Sequence, residues 1–378
     1  MIIPYIAIFL FLGYSFLIIY YWAGWRSIPE YVSTDPRPDT GLSVIIPARN
    51  EEQNIINCLE SVCKQNYPPE SAQIIAIDDS STDNTWDLLQ HFRCGEKITS
   101  CMRLAELENG EFSAHKKRAI ETGIAMSNHN VIVTTDADCT HPLTWLKTIA
   151  SFYEENKPAF IAAPVALQND SSVLQIFQAL DFLVLQGITG ASVHKKIHSM
   201  CNGANLAYEK NAFIEVGGFS GIDRLASGDD MLLMHKISRK YPDKVYYLKS
   251  KQAIVTSLPM LTWKEFFNQR IRWSSKARFY DDKGIIWALL LVYLFNFSTL
   301  ALVVGGFWSP VFLIYAGILW IAKTIVELPF VYSVAKFFEK TSLLKYYFFF
   351  QPLHIAYTII AGLLGQFGKY EWKGRSVR

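Results

Sequence analysis

Two long stretches without a charged residue limit what this chain can fold into. Residues 2–22 and 285–322 contain no Asp, Glu, Lys or Arg. About 20 apolar residues suffice to cross a bilayer, so the first stretch predicts an uncleaved transmembrane anchor. The second is too long for one span, and the glycines and proline within 305–310 predict a break into a hairpin. A further apolar segment, 346–367, brings the predicted spans to four.

The composition agrees with a membrane protein that has one soluble part. Of 378 residues, 51% are hydrophobic, 14% are aromatic and 19% are charged. Arg26 follows an aromatic belt and predicts that this end of the anchor lies in the cytosol. Four crossings would place the basic tail outside, against the positive-inside rule, unless the last segment is re-entrant. The formal net charge of +2 gives no reason to expect a nucleic-acid partner.

The soluble part alternates between strand-like and helix-like segments. Its predicted elements are strands at 42–47, 74–77 and 131–133, helices at 51–65, from 86 and at 114–126, later strands at 160–165, 245–248 and 253–256, and a helix starting near 230. This alternation predicts β-α-β units and hence a mostly parallel sheet. Residues 200–208 are expected to return towards the sheet edge. The six cysteines lie in this part without a C-x-x-C pair, which predicts free thiols in a reducing compartment.

Asp136 and Asp138 directly follow the apolar strand at 131–133. Ligands of an open parallel sheet bind at the carboxyl ends of its strands, so these acids are expected to face a cleft. Two carboxylates this close favour a cation, and oxygen ligands suit Mg²⁺ or Mn²⁺, which could in turn hold a diphosphate. An isolated D-x-D is also compatible with a solvated turn.

Three other signals occur along the chain. They are Asp78-Asp79 at an earlier strand end, Gly228-Asp229-Asp230 at a helix start, and Gln269-Arg270-Ile271-Arg272-Trp273 on an amphipathic helix over 262–280 that fits a membrane surface. Each one alone has a simpler structural interpretation. Acids at a helix start are usually caps or partners of the helix dipole, and the amphipathic helix could be a plain surface helix.

Together, and in this order, the motifs resemble the inverting family 2 glycosyltransferases with a GT-A fold, over about residues 42–273. The layout is similar to that of membrane-bound members such as ceramide glucosyltransferase-like and poly-N-acetylglucosamine or cellulose synthase-like proteins. The resemblance implies an α/β, Rossmann-like, mostly parallel sheet with added transmembrane helices. The predicted divisions are an anchor (1–25), a GT-A domain (40–260), interfacial helices with the Q-x-x-R-W motif (261–284), a transmembrane region of about three segments (285–368) and a basic tail (369–378).

The resemblance also assigns roles to individual residues. Nucleotide-binding residues would be Pro47, Asn50, Glu51, Asp79, Lys117 and Asp136; metal ligands Asp136 and Asp138; the catalytic base Asp230; and diphosphate or acceptor residues Gln269, Arg272, Trp273 and Asp229. The segment Asn202-Gly203-Ala204-Asn205 is similar to the family's acceptor-side loop. Many relatives have Glu where this chain has Asp229, which leaves the choice of base between Asp229 and Asp230 open.

The implied activity is transfer of a hexose-type sugar, with a divalent metal, at the cytosolic face of a cell (inner) membrane. The donor would be a nucleotide sugar, with UDP-sugars first, and the acceptor a lipid, a lipid-linked molecule or a polysaccharide. Few spans make a wide channel hard to build, which favours a lipid over a polymer. A membrane nucleotidyltransferase or phosphotransferase is the first alternative, but it has no use for a separate base. A non-catalytic membrane scaffold with a degenerate nucleotide-binding domain is the second alternative. Degenerate copies usually lose the acidic residues of the motifs first, and this chain has all of them.

Overall fold

The structure is a computed structural model. It describes residues 2–34, 38–95, 97–104, 115–168, 172–197, 200–223, 225, 228–276, 282–367, 370–372 and 375–377. The chain forms two compact units, one of residues 28–168 and 193–258, the other of residues 1–27, 169–192 and 259–378. We call the first the sheet unit and the second the helical unit.

The sheet unit alternates strands and helices, although the strand predicted at 160–165 is divided into two short strands. Its elements are β1 Leu42–Ala48, α2 Ile55–Cys63, β2 Ala72–Asp78, α3 Thr85–His91, β3 Ile98–Arg103, α4 His115–Met126, β4 Val131–Thr134, α5 Trp145–Asn156, β5 Phe160–Ala162, β6 Val165–Leu167, β7 Leu206–Glu209, α7 Lys210–Glu215, α8 Met231–Lys240, β8 Val245–Tyr247 and β9 Val255–Ser257. The apolar runs of β1 and β2 are almost fully buried, which is typical of parallel strands covered on both faces.

Within the described ranges, seven strands form the main sheet in the order β3-β2-β1-β4-β7-β5-β8. β1 pairs in parallel with β2 and β4, β2 with β3, and β5 with β8. β7 runs antiparallel between β4 and β5. The prediction that residues 200–208 return to the sheet edge is therefore wrong, because β7 lies inside the sheet. The α/β, mostly parallel architecture is confirmed.

A disulfide joins Cys63 at the end of α2 to Cys94 after α3, with their Cα atoms 5.6 Å apart. This Cα separation is within the usual range for a bridge. The prediction that all six thiols are free is wrong for this pair. The two cysteines are 31 residues apart, so they meet only because α2 and α3 lie side by side, which no local spacing indicates.

The helical unit contains the long apolar helices. Its elements are α1 Ile2–Ser27, α6 Val173–His194, α9 Trp263–Ser275, α10 Lys283–Gly305, α11 Pro310–Phe337, α12 Tyr347–Phe367 and a short hairpin of β10 Tyr370–Trp372 with β11 Arg375–Val377. The hairpin break at 305–310 is confirmed, since α10 ends at Gly305 and α11 begins at Pro310. The amphipathic helix predicted over 262–280 is observed in part as α9. Residues 277–281 lie outside the described residues, as do Lys369, Lys373 and Arg378 of the basic tail.

A buried polar cluster ties α1, α11 and α12 together within this unit. Lys323 donates to Glu327 Oε1 at 2.6 Å and to Gln351 Oε1 at 2.6 Å. The other carboxylate oxygen of Glu327 accepts from Tyr347 at 2.8 Å, and Tyr14 also donates to Glu327. Because each charge has an opposite charge or a hydrogen-bond partner, the cluster avoids the cost of isolated buried ions.

Among the described residues, five helical segments are long and apolar enough to cross a membrane: α1, α6, α10, α11 and residues 341–366. The sequence analysis had missed α6. β5 precedes α6 and β7 follows it, yet the two strands pair side by side. A single crossing would put them on opposite sides of a bilayer. We conclude that α6 does not make one, in agreement with the burial of 78% of its most apolar stretch.

Close packing of α4 on the sheet gives a first prediction. A Cβ at Gly123 would lie 2.6 Å from Cγ2 of the buried Ile45 on β1. We expect Gly123→Val to lower the free energy of unfolding by about 1–3 kcal/mol, measured as a lower Tm of the detergent-solubilised protein. Thr122→Val puts the same side chain on a half-buried position of α4 and is the control. Equal Tm values for both variants would contradict close packing at Gly123.

Candidate active site

Three strands of the sheet end at the same edge. Ala48 at the end of β1 is in register with Asp78 at the end of β2, and Ile45 of β1 is in register with Thr134 at the end of β4. The segments that follow these ends contain most of the acids singled out by the sequence analysis. Parallel strands therefore bring the predicted polar segments to one edge of the sheet, where ligands of such sheets bind.

The segments after β1 and β2 are bound to each other. Arg49 Nη1 donates to the carbonyl oxygens of Asp79 at 2.7 Å and Ser80 at 2.9 Å. The backbone N–H of Asn50 donates to Ser81 Oγ at 3.0 Å, and that of Glu51 to Thr85 Oγ1 at 2.8 Å. Asn50 and Ser80 have positive φ values of 50° and 53°, and such strained backbone persists where its surroundings fix it. The predicted nucleotide loop is thus a braced structure. Pro47 lies half-buried on β1 just before it.

Asp78 and Asp79 differ in their surroundings. Asp78 is fully buried, accepts from the backbone N–H of Ser81 and lies 3.3 Å from Arg103 Nε, so it stabilises the loop from inside. The Asp79 carboxylate lies 3.3 Å from His115 Nδ1 at the start of α4. This contact links the end of β2 to the helix that also contains Lys116.

Lys116 bridges two of the predicted acid motifs. Its Nζ lies 2.7 Å from Asp136 Oδ1 and 3.1 Å from Asp229 Oδ2. Burial by itself lowers the pKa of Lys116, but Asp136, Asp229 and Asp230 outweigh that effect, and the pKa of Lys116 lies above its usual value. The ammonium therefore stays charged and holds the D-x-D segment next to the 228–230 segment.

The predicted acceptor-side loop reaches the same place. A Cβ at Gly203 would lie 3.3 Å from Asp229 Oδ2, 3.3 Å from Lys116 Nζ and 3.7 Å from the Cβ of Asp230. Asp230 is the N-cap of α8 and accepts the backbone N–H of Met231 at 2.7 Å. Asp229 is more deeply buried than Asp230. Residues from four separate segments thus converge within the sheet unit.

Lys117 has a different environment from Lys116. Its side chain is buried, and Nζ donates to the carbonyl oxygens of Ile222 at 2.5 Å and Leu225 at 2.7 Å. These contacts fix the turn that precedes Asp229 and Asp230. They favour a structural role for Lys117, and they make Lys116 the lysine that lies against the acids predicted to bind the donor.

Two buried thiols lie beside the D-x-D segment. Cys58 contacts the carbonyl oxygen of Asp136 at 3.5 Å, and Cys139 contacts Asp138 Oδ1 at 3.4 Å. Burial first, and then the nearby aspartates, raise the pKa of both thiols. Each thiol therefore contacts one aspartate of the D-x-D segment.

His141 supports the D-x-D segment through Thr135, and it was not singled out from the sequence. Its Nε2 pairs with Thr135 Oγ1 at 2.8 Å and its Nδ1 with Ser61 Oγ of α2 at 2.7 Å. Its ring packs on Trp145, which donates to Asn205 Oδ1 at 2.9 Å. A lone histidine gives no sequence signal, because its partners come from distant segments.

The Q-x-x-R-W motif lies on α9 of the helical unit. Gln269, Arg272 and Trp273 are each half-buried, and α9 begins with a capping box formed by Thr262 and Glu265. Within the helical unit, Trp273 packs its ring 6.2 Å from that of Phe182 on α6.

Family models match both halves of the chain. The model described as glycosyl transferase family 2 matches residues 43–217, and the one described as glycosyl transferase family group 2 matches residues 131–363. The second match covers more than half of the chain. The chain belongs to glycosyl transferase family 2. The predicted family, enzyme class and fold class are thereby confirmed, and the nucleotidyltransferase and scaffold alternatives are set aside.

Known proteins resemble this family 2 glycosyltransferase along much of its length. It is 25% identical over 253 residues to the probable glycosyltransferase YdaM of Bacillus subtilis, covering 66% of this chain and 58% of that protein. It is 23% identical over 251 residues to a poly-beta-1,6-N-acetyl-D-glucosamine synthase of Staphylococcus epidermidis, covering 64% and 56%. The chain therefore spans a little over half the length of these two curated relatives.

A solved structure shares the fold of this family 2 glycosyltransferase almost from end to end. It is the mannosyltransferase PcManGT from Pyrobaculum calidifontis in complex with GDP-Man and Mn²⁺. The match has a TM-score of 0.60 at 19% identity and covers 97% of this chain and 99% of that one.

Burial of His141 gives a second prediction. Burial lowers the pKa of His141 from 6.5 to about 3, so below about pH 6.5 the unfolded chain binds a proton that the folded chain does not. The stability that depends on neutral His141 is therefore full above pH 6.5 and falls towards pH 3 by about 1.4 kcal/mol per pH unit. We expect His141→Gln to weaken the drop in Tm between pH 7 and pH 5. The exposed His91→Gln is the control, and an unchanged slope in His141→Gln would contradict the prediction.

Proposed function

We propose that this glycosyltransferase is bound to a membrane and transfers a sugar, with inversion, from a nucleotide-diphosphate sugar to a lipid, lipid-linked or polysaccharide acceptor. One observation carries the proposal: Lys116 contacts both Asp136 of the D-x-D motif and Asp229 beside Asp230. A glycosyl transfer needs help at the leaving diphosphate and at the incoming hydroxyl. The contacts of Lys116 support a site in which the residues for the diphosphate and the residue for the hydroxyl lie within the sheet unit.

The donor side of the proposed site is built from the braced loops. The crossed hydrogen bonds around Asn50 and Glu51 fix backbone groups at the strand edge before a nucleotide arrives. Such preorganisation lowers the cost of ordering on binding. Asp79 and Asp136 come from the same edge, and we assign them to the nucleotide together with Pro47. Lys116 is a candidate cationic contact for the diphosphate, because it already lies between carboxylates that a donor and its metal would approach.

Asp136 and Asp138 fit a divalent metal as the donor set for a hard cation. Their carboxylate oxygens are the ligands that Mg²⁺ and Mn²⁺ prefer. Among the described residues no group of three His, Cys, Asp or Glu could hold a metal alone. Mg²⁺ is commonly held by one or two carboxylates together with substrate phosphates. When bound, the metal would offset the charge that develops on the leaving diphosphate.

The acceptor side requires a carboxylate that can take a proton from the incoming hydroxyl. Asp229 is deeply buried and engaged by Lys116, whereas Asp230 is partly exposed at the start of α8. The hydrogen bond from Met231 fixes the orientation of the Asp230 carboxylate. These contacts favour Asp230 as the base and Asp229 as the residue that positions it. Attack from the face opposite the diphosphate would invert the anomeric centre.

We assign Gln269, Arg272 and Trp273 to the diphosphate and acceptor through the family's Q-x-x-R-W motif. A guanidinium can donate two parallel hydrogen bonds to phosphate oxygens, which lysine does less well. The indole of Trp273 offers a flat apolar face for a sugar or a lipid head group.

The candidate spans α1, α10, α11 and α12 support a membrane location with an acceptor that is lipid or lipid-linked. A related transferase of Serratia proteamaculans, 29% identical over 159 residues, is named for undecaprenyl phosphate. The disulfide between Cys63 and Cys94 removes the thiol argument for a reducing compartment. We keep the sheet unit on the cytosolic side of the cell (inner) membrane because of Arg26 at the end of α1.

The direct test is release of nucleoside diphosphate from a panel of UDP- and GDP-sugars. The full chain would be assayed in native membrane vesicles, with Mg²⁺ or Mn²⁺, and labelled lipid extracts analysed by mass spectrometry. Label from one donor in the lipid fraction would support the proposal. Intact donors across the whole panel would overturn it.

The base assignment gives a third prediction. We expect Asp230→Asn to lower kcat by on the order of 10²- to 10⁴-fold, because amide nitrogen and oxygen cannot accept the proton. Donor affinity, measured by calorimetry, should stay within about threefold of the wild-type value, since it belongs to the opposite side of the sugar. Asp243→Asn, which changes an exposed aspartate, is the matched control. Normal turnover in Asp230→Asn would remove this residue from the mechanism.

The metal assignment gives a fourth prediction. We expect Asp138→Ala to raise the Mn²⁺ concentration needed for half-maximal donor binding by at least about tenfold, because one oxygen ligand is lost. Donor binding would be titrated with Mn²⁺ by calorimetry in wild-type, Asp138→Ala and Asp243→Asn protein. Superimposable titrations would show that Asp138 does not hold the metal.

A further inference from the structure

Arg270 is a buried cation inside the Q-x-x-R-W motif, at a position that the motif leaves variable. Only 4% of its surface is exposed. Its partner is Asp181 on α6, whose side chain is 3% exposed, with Nη2 2.8 Å and Nε 3.2 Å from Asp181 Oδ2. Two donors on one carboxylate make this a strong, directional pair. Burying such a pair costs desolvation energy, and apolar side chains of similar size could hold the helices together without that cost. Packing between helices therefore does not by itself explain the pair.

The guanidinium also contacts two motif residues directly. Arg270 Nη1 donates to Gln269 Oε1 at 2.7 Å. Its guanidinium carbon lies 4.3 Å from the centre of the Trp273 ring and 4.7 Å from that of Phe266. Phe182, the residue after Asp181, packs its ring 6.2 Å from that of Trp273. Arg270 therefore fixes both ends of the motif at once, and only a planar cation can stack and donate together.

The Asp181 carboxylate is fixed in turn by α12. Tyr357 donates to Asp181 Oδ1, and His354 Nε2 lies 3.8 Å from the same oxygen. Tyr357 and Phe266 also pack their rings at 5.4 Å. Asp181 thus receives donors from α9 and α12 while belonging to α6. It joins the three helices at the point where the motif begins.

We propose that Asp181 and Arg270 are positioning residues that set the geometry of Gln269 and Trp273. The proposal rests on the role assigned to the Q-x-x-R-W motif above. Neither residue needs to touch the substrate. Asp181 orients Arg270, Arg270 orients the amide of Gln269 and the indole plane of Trp273, and these two residues meet the diphosphate and the acceptor.

The test uses the full chain in native membrane vesicles, with nucleoside diphosphate release as the assay. Rates are divided by the folded fraction of each variant, which is measured by size-exclusion chromatography of the solubilised protein. Asp181→Asn and Arg270→Met should each lower kcat by on the order of 10- to 100-fold, with donor KM little changed. The double variant should lie within about threefold of either single variant, because both act through one pair. Arg270→Lys keeps the charge but loses the planar stack, so its kcat should stay low.

The matched control is a second buried ion pair of the helical unit. Lys323→Met/Glu327→Gln changes a pair that contacts no motif residue in the described contacts. It should change Tm and leave kcat of the folded fraction at the wild-type value. An equal loss of kcat in this control, or full activity in Arg270→Lys, would overturn the positioning role.

Trp273→Ala separates this inference from the proposed function. Low kcat in Trp273→Ala with normal kcat in Asp181→Asn would overturn the inference and leave the proposed function intact. Normal kcat in both variants would overturn the inference together with the role assigned to the motif. Low kcat in both, with little further loss on combining them, supports the chain of contacts from Asp181 to Trp273.

Discussion

Attraction between one ammonium group and the carboxylates around it organises the sheet unit. Asp136, Asp229 and Asp230 come from two segments that are far apart in the chain, and like charges at such short range would repel. Lys116 lies between Asp136 and Asp229 and offsets that repulsion. The neighbouring Lys117 fixes the turn before Asp229 with two carbonyl contacts. Lys116 therefore balances charge, and the adjacent Lys117 on α4 fixes the backbone. The parallel sheet makes this possible by ending β1, β2 and β4 at one edge.

Much of the sheet unit was predictable from local sequence. The apolar runs of β1, β2 and β4 are each followed at once by acids or small polar residues, and parallel strands must end together. That pattern identifies the edge on which Asp79, Asp136 and Asp138 lie. Glycine, proline and the absence of charge located the break between α10 and α11 for similar reasons. In each case the signal and the structure that it determines lie within a few residues of each other.

Features that depend on distant partners were not predictable. Residues 200–208 were predicted to lie at the sheet edge because their sequence does not reveal that β7 pairs with both β4 and β5. The disulfide joins two cysteines that are 31 residues apart, and no short motif marks them as a pair. His141 gives no signal until Thr135, Ser61 and Trp145 surround it. α6 was missed because Asp181 interrupts its apolar run, and Arg270, which balances that charge, follows 89 residues later.

Asp181 is synthesised before Arg270, and this order has a consequence for the growing chain. Apart from its aspartate, α6 is apolar enough to be taken up as a membrane span, yet β5 and β7 on its two sides must pair. An aspartate at the centre of a nascent helix adds about 2.5–3.5 kcal/mol to the cost of insertion. Until α9 has been made, Asp181 has no arginine beside it, and its charge disfavours lateral release of α6 into lipid. If the chain is inserted into a bilayer as proposed, the carboxylate that later joins three helices would also favour keeping β5 and β7 on one side of it.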